Sequence, residues 1–300
     1  MDGILNIHKP LGMTSFDVVA RVRRLTETKK VGHTGTLDPD AEGVLPVCVG
    51  KATKIIEFLM EKDKAYRVGL LLGSTTDTQD ATGTLLEEKP VTASFDEIKE
   101  TIASFTGVKE QIPPMYSAIR INGKRLYELA RQGVEIDRKP RTVQFYAISL
   151  VKMEKKADKV SVIMDVVCSK GTYMRTLCHD IGRALGCGGI MESLLRTRSG
   201  PFSLEQSHTL EALSQLKELN KLETALLAPD QAVLALPLVK VVDRDALRLR
   251  NGLTVRNEQI NGIKDFLRIY HENGQFLAIG KIIEKDGVPQ LKSHKWLDSQ

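Results

Sequence analysis

The amino-acid sequence predicts an α+β fold built from two domains. Its 300 residues are 42% hydrophobic and 27% charged, as in ordinary globular proteins, and the chain is about twice as long as a typical domain of ~150 residues. Strand and helix patterns alternate without a regular βαβ rhythm, which favours α+β over a doubly wound sheet. Towards the end of the chain Asn273-Gly274 separates two strand patterns, the strongest short hairpin signal that a sequence carries.

The first part of the chain divides into strand, helix and loop patterns. Residues 4–7 predict an opening strand, and Thr14 or Ser15 caps a helix whose apolar residues recur at helical spacing. Glycine and proline interrupt residues 31–54 too often for a helix, so this stretch predicts loop and short strands. Alternating apolar residues at 66–72 predict a further strand.

The rest of the chain continues this alternation and then changes character. The sequence predicts a helix at 94–104 that begins with a capping box, and strands at 143–151 and 160–168. It also predicts a helix at 174–185 and a leucine-rich helix at 211–228. Pro229 and Pro237 bracket a junction, and the hairpin at 266–283 predicts a small β-rich module beyond it. The expected domains are therefore residues 1–232 and 236–300.

Cysteine spacing and hydropathy exclude several classes of protein. Cys48, Cys168, Cys178 and Cys187 form no C-x-x-C pair, which argues against a zinc knuckle, a thioredoxin-like couple or a disulfide framework. No uncharged apolar run approaches the ~18 residues of a membrane helix, and the charges among the first ten residues are unlike a secretory signal. We therefore expect a cytoplasmic protein with reduced cysteines and no contact with a membrane.

Basic residues cluster in two stretches of the chain. Residues 120–141 carry seven basic and three acidic side chains, and residues 240–256 carry five and two. The formal net charge of the whole chain is only +5, so the two clusters rather than the total indicate an anionic partner with a phosphate backbone. The alternative is a solvated surface of mixed charge.

The densest group of unusual residues is Gly32-His33-Thr34-Gly35-Thr36-Leu37-Asp38-Pro39. A residue before proline is restricted to extended geometry, so Asp38 is presented on a restrained backbone, and the glycines allow a sharp turn or a close approach to a ligand. A fixed carboxylate is what a reaction at a sugar anomeric carbon requires, because positive charge develops there as the glycosidic bond breaks. The alternative is an aspartate that caps a turn.

Two further residues complete this hypothetical site. Arg175 lies where a predicted strand leads into a helix, and its guanidinium would pair with Asp38 and keep the carboxylate ionised and oriented. Tyr66 lies on a predicted strand, where its ring would stack on an unpaired base. The alternatives are an arginine on a solvated helix face and a tyrosine in the core.

Residue spacing argues against other chemistries. Gly50-Lys51 lacks both the first glycine and the following Ser or Thr of a phosphate-binding loop, and the H-x-E and P-C-x-x-C signatures of zinc deaminases do not occur. His33 and Cys178-His179 have no partners at ligand spacing. We therefore expect neither a metal nor a cofactor.

Six stretches together resemble one family closely, the bacterial tRNA pseudouridine synthases of the T-arm type, or TruB family. They include Asn-Ile-His-Lys-Pro at 6–10, Gly-His-Thr-Gly-Thr-Leu-Asp at 32–38, Lys-Ala-Tyr at 64–66, Pro-Pro-Met-Tyr-Ser-Ala at 113–118, Lys-Gly-Thr-Tyr-Met-Arg at 170–175 and Arg-Thr-Arg-Ser-Gly-Pro-Phe at 196–202. The stretches follow the family's order and cover most of residues 1–205.

The resemblance implies an isomerase that converts uridine 55 in the T loop of tRNA to pseudouridine. It implies that Asp38 is the catalytic aspartate, that Arg175 pairs with it, and that Tyr66 stacks on the flipped uracil and is a candidate base for the proton at C5. Further residues that it implies in contact with the substrate RNA or its pocket are His33, Lys9, Lys54, Tyr173, Leu194, Arg120, Lys124, Arg131 and Arg141.

The resemblance also implies the architecture and the partner. The expected catalytic domain is a mixed, largely antiparallel central sheet flanked by helices, the pseudouridine synthase fold. Residues 120–141 are similar to a thumb segment that closes on RNA, and residues 236–300 to a small β-barrel-like PUA domain that binds RNA. The expected partner is tRNA, bound through its T arm, and a monomer is the default expectation.

The chain departs from the family's pattern at several positions near the expected RNA surface. Asp40-Ala41-Glu42 stands where Leu-Ala-Thr is usual, and Leu195 stands where a polar residue is expected. These changes bear on RNA contacts more than on the chemistry.

Two other functions stay open. A noncatalytic protein that binds or folds RNA would leave Asp38 idle, and an RNA N-glycosidase would let water capture the sugar.

Overall fold

The structure, a computed structural model, describes residues 1–117, 119–121, 123–130, 132–285 and 287–298. The strands are β1 Gly3–Lys9, β2 Val31–His33, β3 Glu42–Val49, β4 Lys64–Leu72, β5 Ser74–Thr76, β6 Leu85–Glu88, β7 Gly107–Gln111, β8 Arg120–Ile121, β9 Lys124–Arg125, β10 Arg141–Lys156, β11 Lys159–Cys168, β12 Gly189–Ser199, β13 Phe202–Ser203, β14 Leu238–Val241, β15 Thr254–Val255, β16 Phe266–His271, β17 Phe276–Lys285 and β18 Val288–Trp296. The helices are α1 Ser15–Thr26, α2 Ile56–Met60, α3 Phe95–Ser104, α4 Leu126–Ala130, α5 Met174–Ala184, α6 Leu210–Glu218 and α7 Asp243–Arg250, with 3₁₀ turns at Gly50–Ile55, Leu222–Ala225, Pro229–Val233 and Glu258–Ile260.

A nine-stranded sheet forms the centre of the described chain. Seven strands follow the order β1-β3-β12-β4-β11-β10-β7, while β2 pairs with β3 and β13 with β12. The pairing of β12 with β3 is parallel and the other pairings in this sheet are antiparallel. The predicted α+β class with a mixed, largely antiparallel central sheet is confirmed.

A second sheet of five strands follows in the order β14-β16-β17-β18-β15. The hairpin predicted at Asn273-Gly274 joins β16 to β17, and Gly274 has the positive φ of +93° that favours glycine in such turns. In the part of the chain that the structure describes, β14 and β15 are not paired with each other. The module is therefore an open sheet rather than a closed barrel.

Two helices begin and end as their residues predict. Thr14 caps α1, accepting from the amide of Asp17 while the Asp17 side chain accepts from the amide of Thr14, and this reciprocal pair satisfies two of the free amides at the helix start. The buried face of α1 contains Val18 and Val22. Helix α5 ends just before Gly186, whose φ is +75°, the left-handed geometry that terminates many helices.

Two expectations from the sequence were wrong. Strand β3 is eight residues long although glycine and proline suggested loop and short strands, because its nearly continuous apolar run is buried between β1 and β12. The single helix expected at 211–228 ends instead at Glu218. Asn220 there adopts a left-handed φ of 56°, and the chain continues as a 3₁₀ turn.

The two sheets share a hydrophobic cluster. Ile4 and Cys48 of the nine-stranded sheet belong to the same buried cluster as Ile279 and Leu297 from the C-terminal part of the chain. The five-stranded sheet therefore packs directly on the central one, and the division into domains at 1–232 and 236–300 stays a prediction. No helix within the described ranges is both long and apolar enough to cross a membrane.

We predict that Gly182→Ala destabilises the protein. A Cβ at this position of α5 would lie 2.1 Å from the backbone nitrogen of Gly189 and 2.5 Å from the carbonyl oxygen of Gly188. The ~1 kcal/mol by which alanine favours a helix over glycine is outweighed by overpacking against backbone, which costs about 1–3 kcal/mol. Denaturant unfolding should show a net loss of stability, whereas the exposed Arg183→Ala on the same helix should stay close to wild type. Equal or greater stability of Gly182→Ala would contradict this packing.

Candidate active site

A cavity of about 310 Å³ lies where the 34–38 loop, β4, β12 and the start of α5 meet. It brings together Asp38, Tyr66, Tyr173, Arg175 and Leu194, five residues singled out from distant stretches of the sequence. A second cavity, of about 350 Å³ beside β7 and the end of α3, contains none of the predicted site residues. The first cavity is therefore the candidate active site.

Asp38 and Arg175 form an ion pair at the wall of this cavity. Oδ2 of Asp38 lies 3.1 Å from Nη2 of Arg175, and the aspartate side chain is 43% exposed whereas the arginine side chain is 7% exposed. Nη2 also donates to the carbonyl oxygen of Tyr116 at 2.8 Å, and Nη1 lies 3.6 Å from Oδ2 of Asp80. The guanidinium is thus fixed by several partners, while the carboxylate that it orients opens to the cavity.

Asp80 is a residue of the site that sequence reasoning missed. Its Oδ1 accepts from the hydroxyls of Thr78 and Thr82, each at 2.7 Å. These two hydrogen bonds fix the orientation of the carboxylate that faces Arg175. The available signal was the polar stretch at 74–84, rich in Thr and Asp, directly after a buried strand. Such stretches are also ordinary turns, which is why the signal was not selective.

Gln111 fixes the start of the helix that carries Arg175. Tyr173 is the N-cap residue of α5 but offers no side-chain cap. Instead the buried Gln111 donates from Nε2 to the Tyr173 carbonyl at 3.1 Å and accepts at Oε1 from the Tyr173 amide at 3.0 Å. Burial raises the pKa of the Tyr173 hydroxyl, so this ring meets the cavity as a neutral phenol.

Tyr66 lies on β4, opposite Val166 of β11 and Arg196 of β12, and its half-buried ring lines the cavity. Burial raises the pKa of its hydroxyl, and the nearby Arg196 only partly opposes that shift. The phenol is therefore protonated at neutral pH in the free protein. Any role as a base requires the phenolate to form in the complex with substrate.

Arg196 is a second residue that was not singled out. It is 1% exposed, and its guanidinium donates to the carbonyl oxygens of Val44 at 2.6 Å, Gly35 at 3.1 Å and Thr36 at 3.4 Å. Two of these carbonyls belong to the loop that ends at Asp38. The sequence feature that could have indicated this role is the position of a charged residue within a strand. When such a residue is buried with no opposite charge near it, it needs neutral hydrogen-bond partners.

The strand beside Arg196 approaches it closely because of one glycine. Gly43 pairs with Arg196 across β3 and β12 and has a φ of +107°. A Cβ there would lie 2.3 Å from the Arg196 carbonyl oxygen. Glycine at this position therefore lets the backbone just beyond Asp38 lie against β12.

Two predicted pocket residues lie outside the cavity. Lys9 is fully buried and donates from Nζ to the carbonyls of Met13 at 2.6 Å and Pro39 at 3.4 Å, so it joins the connection between β1 and α1 to the residue that follows Asp38. Burial lowers its pKa to about 8. Lys54 donates from Nζ to the Trp296 carbonyl at 2.7 Å, which places it against the five-stranded sheet.

His33 and Arg141 lie beside the cavity rather than within it. Nδ1 of His33 accepts from the Gly35 amide at 3.3 Å, which leaves its proton on Nε2 when the ring is neutral. Burial lowers the pKa of His33, with a smaller contribution from Arg196, so the ring is neutral at pH 7. Arg141 is the exposed first residue of β10, near enough to Tyr173 to lower its pKa slightly against the effect of burial.

The remaining expectations fall partly outside the described residues. The backbones of Arg120 and Lys124 belong to the short hairpin β8–β9, but their side chains are not among those described, and Arg131 lies outside the described residues altogether.

The side chains around the cavity suit acid–base or nucleophilic work at carbon. They supply an accessible carboxylate, a guanidinium that stabilises it and aromatic rings that can stack on a planar base. Among the residues of the described ranges there is no group of three or more His, Cys, Asp and Glu side chains placed to hold a metal ion.

Comparison with known proteins identifies the family. The model for the TruB family pseudouridylate synthase N-terminal domain matches residues 23–174. This chain belongs to the TruB family. The model for the tRNA pseudouridylate synthase B C-terminal domain matches residues 175–235, so the five-stranded sheet follows the stretch that the two models match.

Relatives and solved structures agree with this assignment. A protein named tRNA pseudouridine synthase B from Clostridium perfringens is 47% identical over 95% of this chain and 96% of its own length, and one from Alkaliphilus oremlandii is 57% identical over 77% and 75%. A structure of a Cbf5-Nop10-Gar1 complex contains a similar chain with a TM-score of 0.75 at 28% identity, covering 99% of this chain and 85% of that one. A chain in an H/ACA RNP bound to a substrate RNA containing 2′-deoxyuridine gives a TM-score of 0.74 at 27% identity, with 99% and 85% covered.

We predict that Arg196→Gln lowers the rate of product formation at least about tenfold, because the loop that presents Asp38 loses its anchors and misplacement of a reacting group is costly. The same change should raise the pKa of His33, which the Arg196 charge lowers. An NMR titration of the imidazole protons measures this shift. Arg196→Lys, which keeps the charge, should leave the His33 pKa lower than Arg196→Gln does.

Arg198→Gln is the matched control, because this arginine lies two residues further along β12 and donates to Gly200 rather than to the 34–38 loop. It should leave both the rate and the pKa of His33 near their wild-type values. An unchanged pKa of His33 in Arg196→Gln would show that the guanidinium charge does not reach the ring.

Proposed function

We propose that this protein isomerises uridine to pseudouridine at position 55 in the T loop of tRNA. The observation that carries the proposal is the accessible Asp38 carboxylate, paired with a buried Arg175 and sharing a cavity with Tyr66. Membership of the TruB family and relatives named tRNA pseudouridine synthase B support the substrate and the reaction.

The reaction needs a carboxylate at the sugar and no other reagent. Asp38 acts at C1′, either as the nucleophile or as a base towards the ribose, and the bond from C1′ to N1 breaks. The detached uracil rotates within the cavity, and C5 forms the new bond to C1′. This bond displaces Asp38 from C1′ on the nucleophilic route, and on the other route Asp38 returns to the ribose the proton that it took. The proton at C5 is removed and N1 gains one, so that product and substrate have the same composition.

Aromatic stacking offsets the cost of exposing the target base. A uridine inside a folded loop is stacked, and its extrusion costs a few kcal/mol. A base stacked on an aromatic side chain regains about 1–3 kcal/mol, and Tyr66 presents such a ring beside Asp38. Arg175 keeps the carboxylate in position throughout, because its other contacts do not depend on the substrate.

The remaining parts of the chain would bind RNA around this site. In our proposal residues 1–232 form the catalytic domain, the basic segment 120–141 closes on the T arm, and residues 236–300 form a PUA-like domain that binds RNA elsewhere. We propose a monomeric, cytoplasmic protein that works without a cofactor. Arg120, Lys124, Arg131 and Arg141 would contact phosphates, and His33, Tyr173 and Leu194 would contact the T loop.

The proposal is tested with an unmodified tRNA transcript and no added cofactor or metal. Isomerisation leaves the mass of the RNA unchanged and makes one nucleotide reactive to carbodiimide at position 55. Release of free uracil would indicate an N-glycosidase instead. Binding without any change in the RNA would indicate a noncatalytic RNA-binding protein.

We predict that Asp38→Asn abolishes product formation while the affinity for tRNA stays within about tenfold, as expected for a group used in the transition state. Single-turnover assays and filter binding on the same transcript measure the two quantities. Asp40→Asn is the matched control, because it removes the same charge two residues further along the chain, outside the cavity lining. Activity that merely follows the loss of binding in Asp38→Asn would argue against this role.

We predict that Tyr66→Leu loses turnover and weakens binding of the flipped base, because an aliphatic side chain cannot replace the aromatic stack. Tyr66→Phe keeps the ring and should keep the RNA affinity, but its turnover should fall, because the phenolate oxygen that would accept the C5 proton can no longer form. Both are measured on a minimal T-arm hairpin. Normal rates for Tyr66→Leu would contradict the stacking role.

A further inference from the structure

Phe16 is an exposed aromatic residue close to the proposed RNA-binding surface. The residue is 64% exposed although it lies on a helix whose other apolar residues include the buried Val18 and Val22. Its ring meets that of His33 edge to face, with centroids 5.3 Å apart and planes at 82°. This contact uses only part of the ring, so much of the Phe16 surface faces solvent.

The position of Phe16 is fixed relative to Asp38. The neighbouring Ser15 is buried, and its hydroxyl accepts from the Leu37 amide at 2.9 Å and donates to the Leu37 carbonyl at 3.2 Å. A second bond joins the Gly12 amide to the Pro39 carbonyl at 2.8 Å. The start of α1 and the loop that carries Asp38 are therefore one unit, and the Phe16 ring is presented beside it at low entropic cost.

The surroundings of Phe16 suit a nucleic acid better than an apolar partner. Residues four and seven positions along a helix share a face, and this places Ala20 and Arg23 on the exposed face of α1 with Phe16. Arg23 extends over β2 and donates to the Val31 carbonyl at 3.4 Å. An exposed aromatic ring that contacts a neutral imidazole, on a helix face that also carries a cationic side chain, is typical of surfaces that stack unpaired bases and track a phosphate backbone.

We propose that Phe16 binds RNA directly: its ring, held by the edge-to-face contact with His33, is a platform on which an unpaired loop nucleotide next to the flipped uridine stacks. The inference rests on the proposed function, because it takes the RNA that enters the Asp38 cavity as the ligand. The platform binds one base beside the cavity while Tyr66 contacts the reacting base within it. Phe16 thereby strengthens binding of loops that can extrude a second base.

The test measures binding of a T-arm stem-loop that carries 2-aminopurine at each loop position in turn, with Asp38→Asn present to prevent turnover. Phe16→Leu should weaken binding between about 5- and 150-fold, the range expected for loss of one base–aromatic stack, and should relieve the fluorescence quenching of one 2-aminopurine. Phe16→Tyr keeps an aromatic ring and should preserve both affinity and quenching.

Phe95→Leu is the matched control, because Phe95 is also an exposed phenylalanine in the first turn of a capped helix, but outside the cavity lining. It should leave binding unchanged, and unfolding curves should show that each variant is folded. Wild-type affinity and quenching in Phe16→Leu would overturn the inference, and weaker binding with unchanged quenching at every position would reduce Phe16 to a support for His33. The proposed function fails separately, if the wild-type protein forms no pseudouridine in tRNA.

Discussion

The geometry of the site depends on the contacts of one group, the guanidinium of Arg175. It joins the Asp38 carboxylate, the Tyr116 carbonyl and the Asp80 carboxylate, three groups from segments that are distant along the chain. A guanidinium has its donors in one rigid plane, so meeting these acceptors together fixes the segments relative to each other. A lysine would supply a charge at this point but not the fixed directions. The packing of α5 on β12 and the bonds from Gln111 to Tyr173 hold the helix that carries this side chain in place.

Buried cations that bond to neutral carbonyls give the site its electrostatic character. Arg196, Lys9 and Lys64 are nearly or fully inaccessible, and the acceptors described above for Arg196 and Lys9 are main-chain carbonyls, as are those of Lys64 at Met60 and Lys62. Burial is the main cause that lowers the pKa of Lys9 and of Lys64 to about 8, and the charge of Arg196 contributes to both shifts. Carbonyl dipoles stabilise these cations without cancelling their charge. The three side chains therefore add positive charge around the cavity, which attracts a polyanion.

Most elements of the fold could be predicted because local signals and burial agree there. The capping boxes at Thr14 and Ser94 and the Asn273-Gly274 turn each describe a local hydrogen-bonding requirement that the structure meets. The failures arose where tertiary contacts decide. Strand β3 tolerates Pro46 because burial of its apolar residues between two neighbouring strands outweighs local propensity. The leucine-rich stretch after 211 is interrupted because its later residues turn back, so that Leu227 forms a bridge with Ile4 of β1.

The residues of the candidate site likewise differ in how well the sequence predicts them. Residues whose side chains face a reacting group can be predicted from their type and their sequence context. Examples are an aspartate before proline and an arginine at a strand-to-helix junction. Residues that support the backbone do not, because the carbonyls that they bond to are the same in every sequence. Arg196 and Gln111 were missed for this reason, and Lys9 was assigned to the pocket although it lies beneath the loop. Sequence motifs can therefore locate a reaction centre, but the precision with which Asp38 is held depends on main-chain contacts that form only in the folded chain.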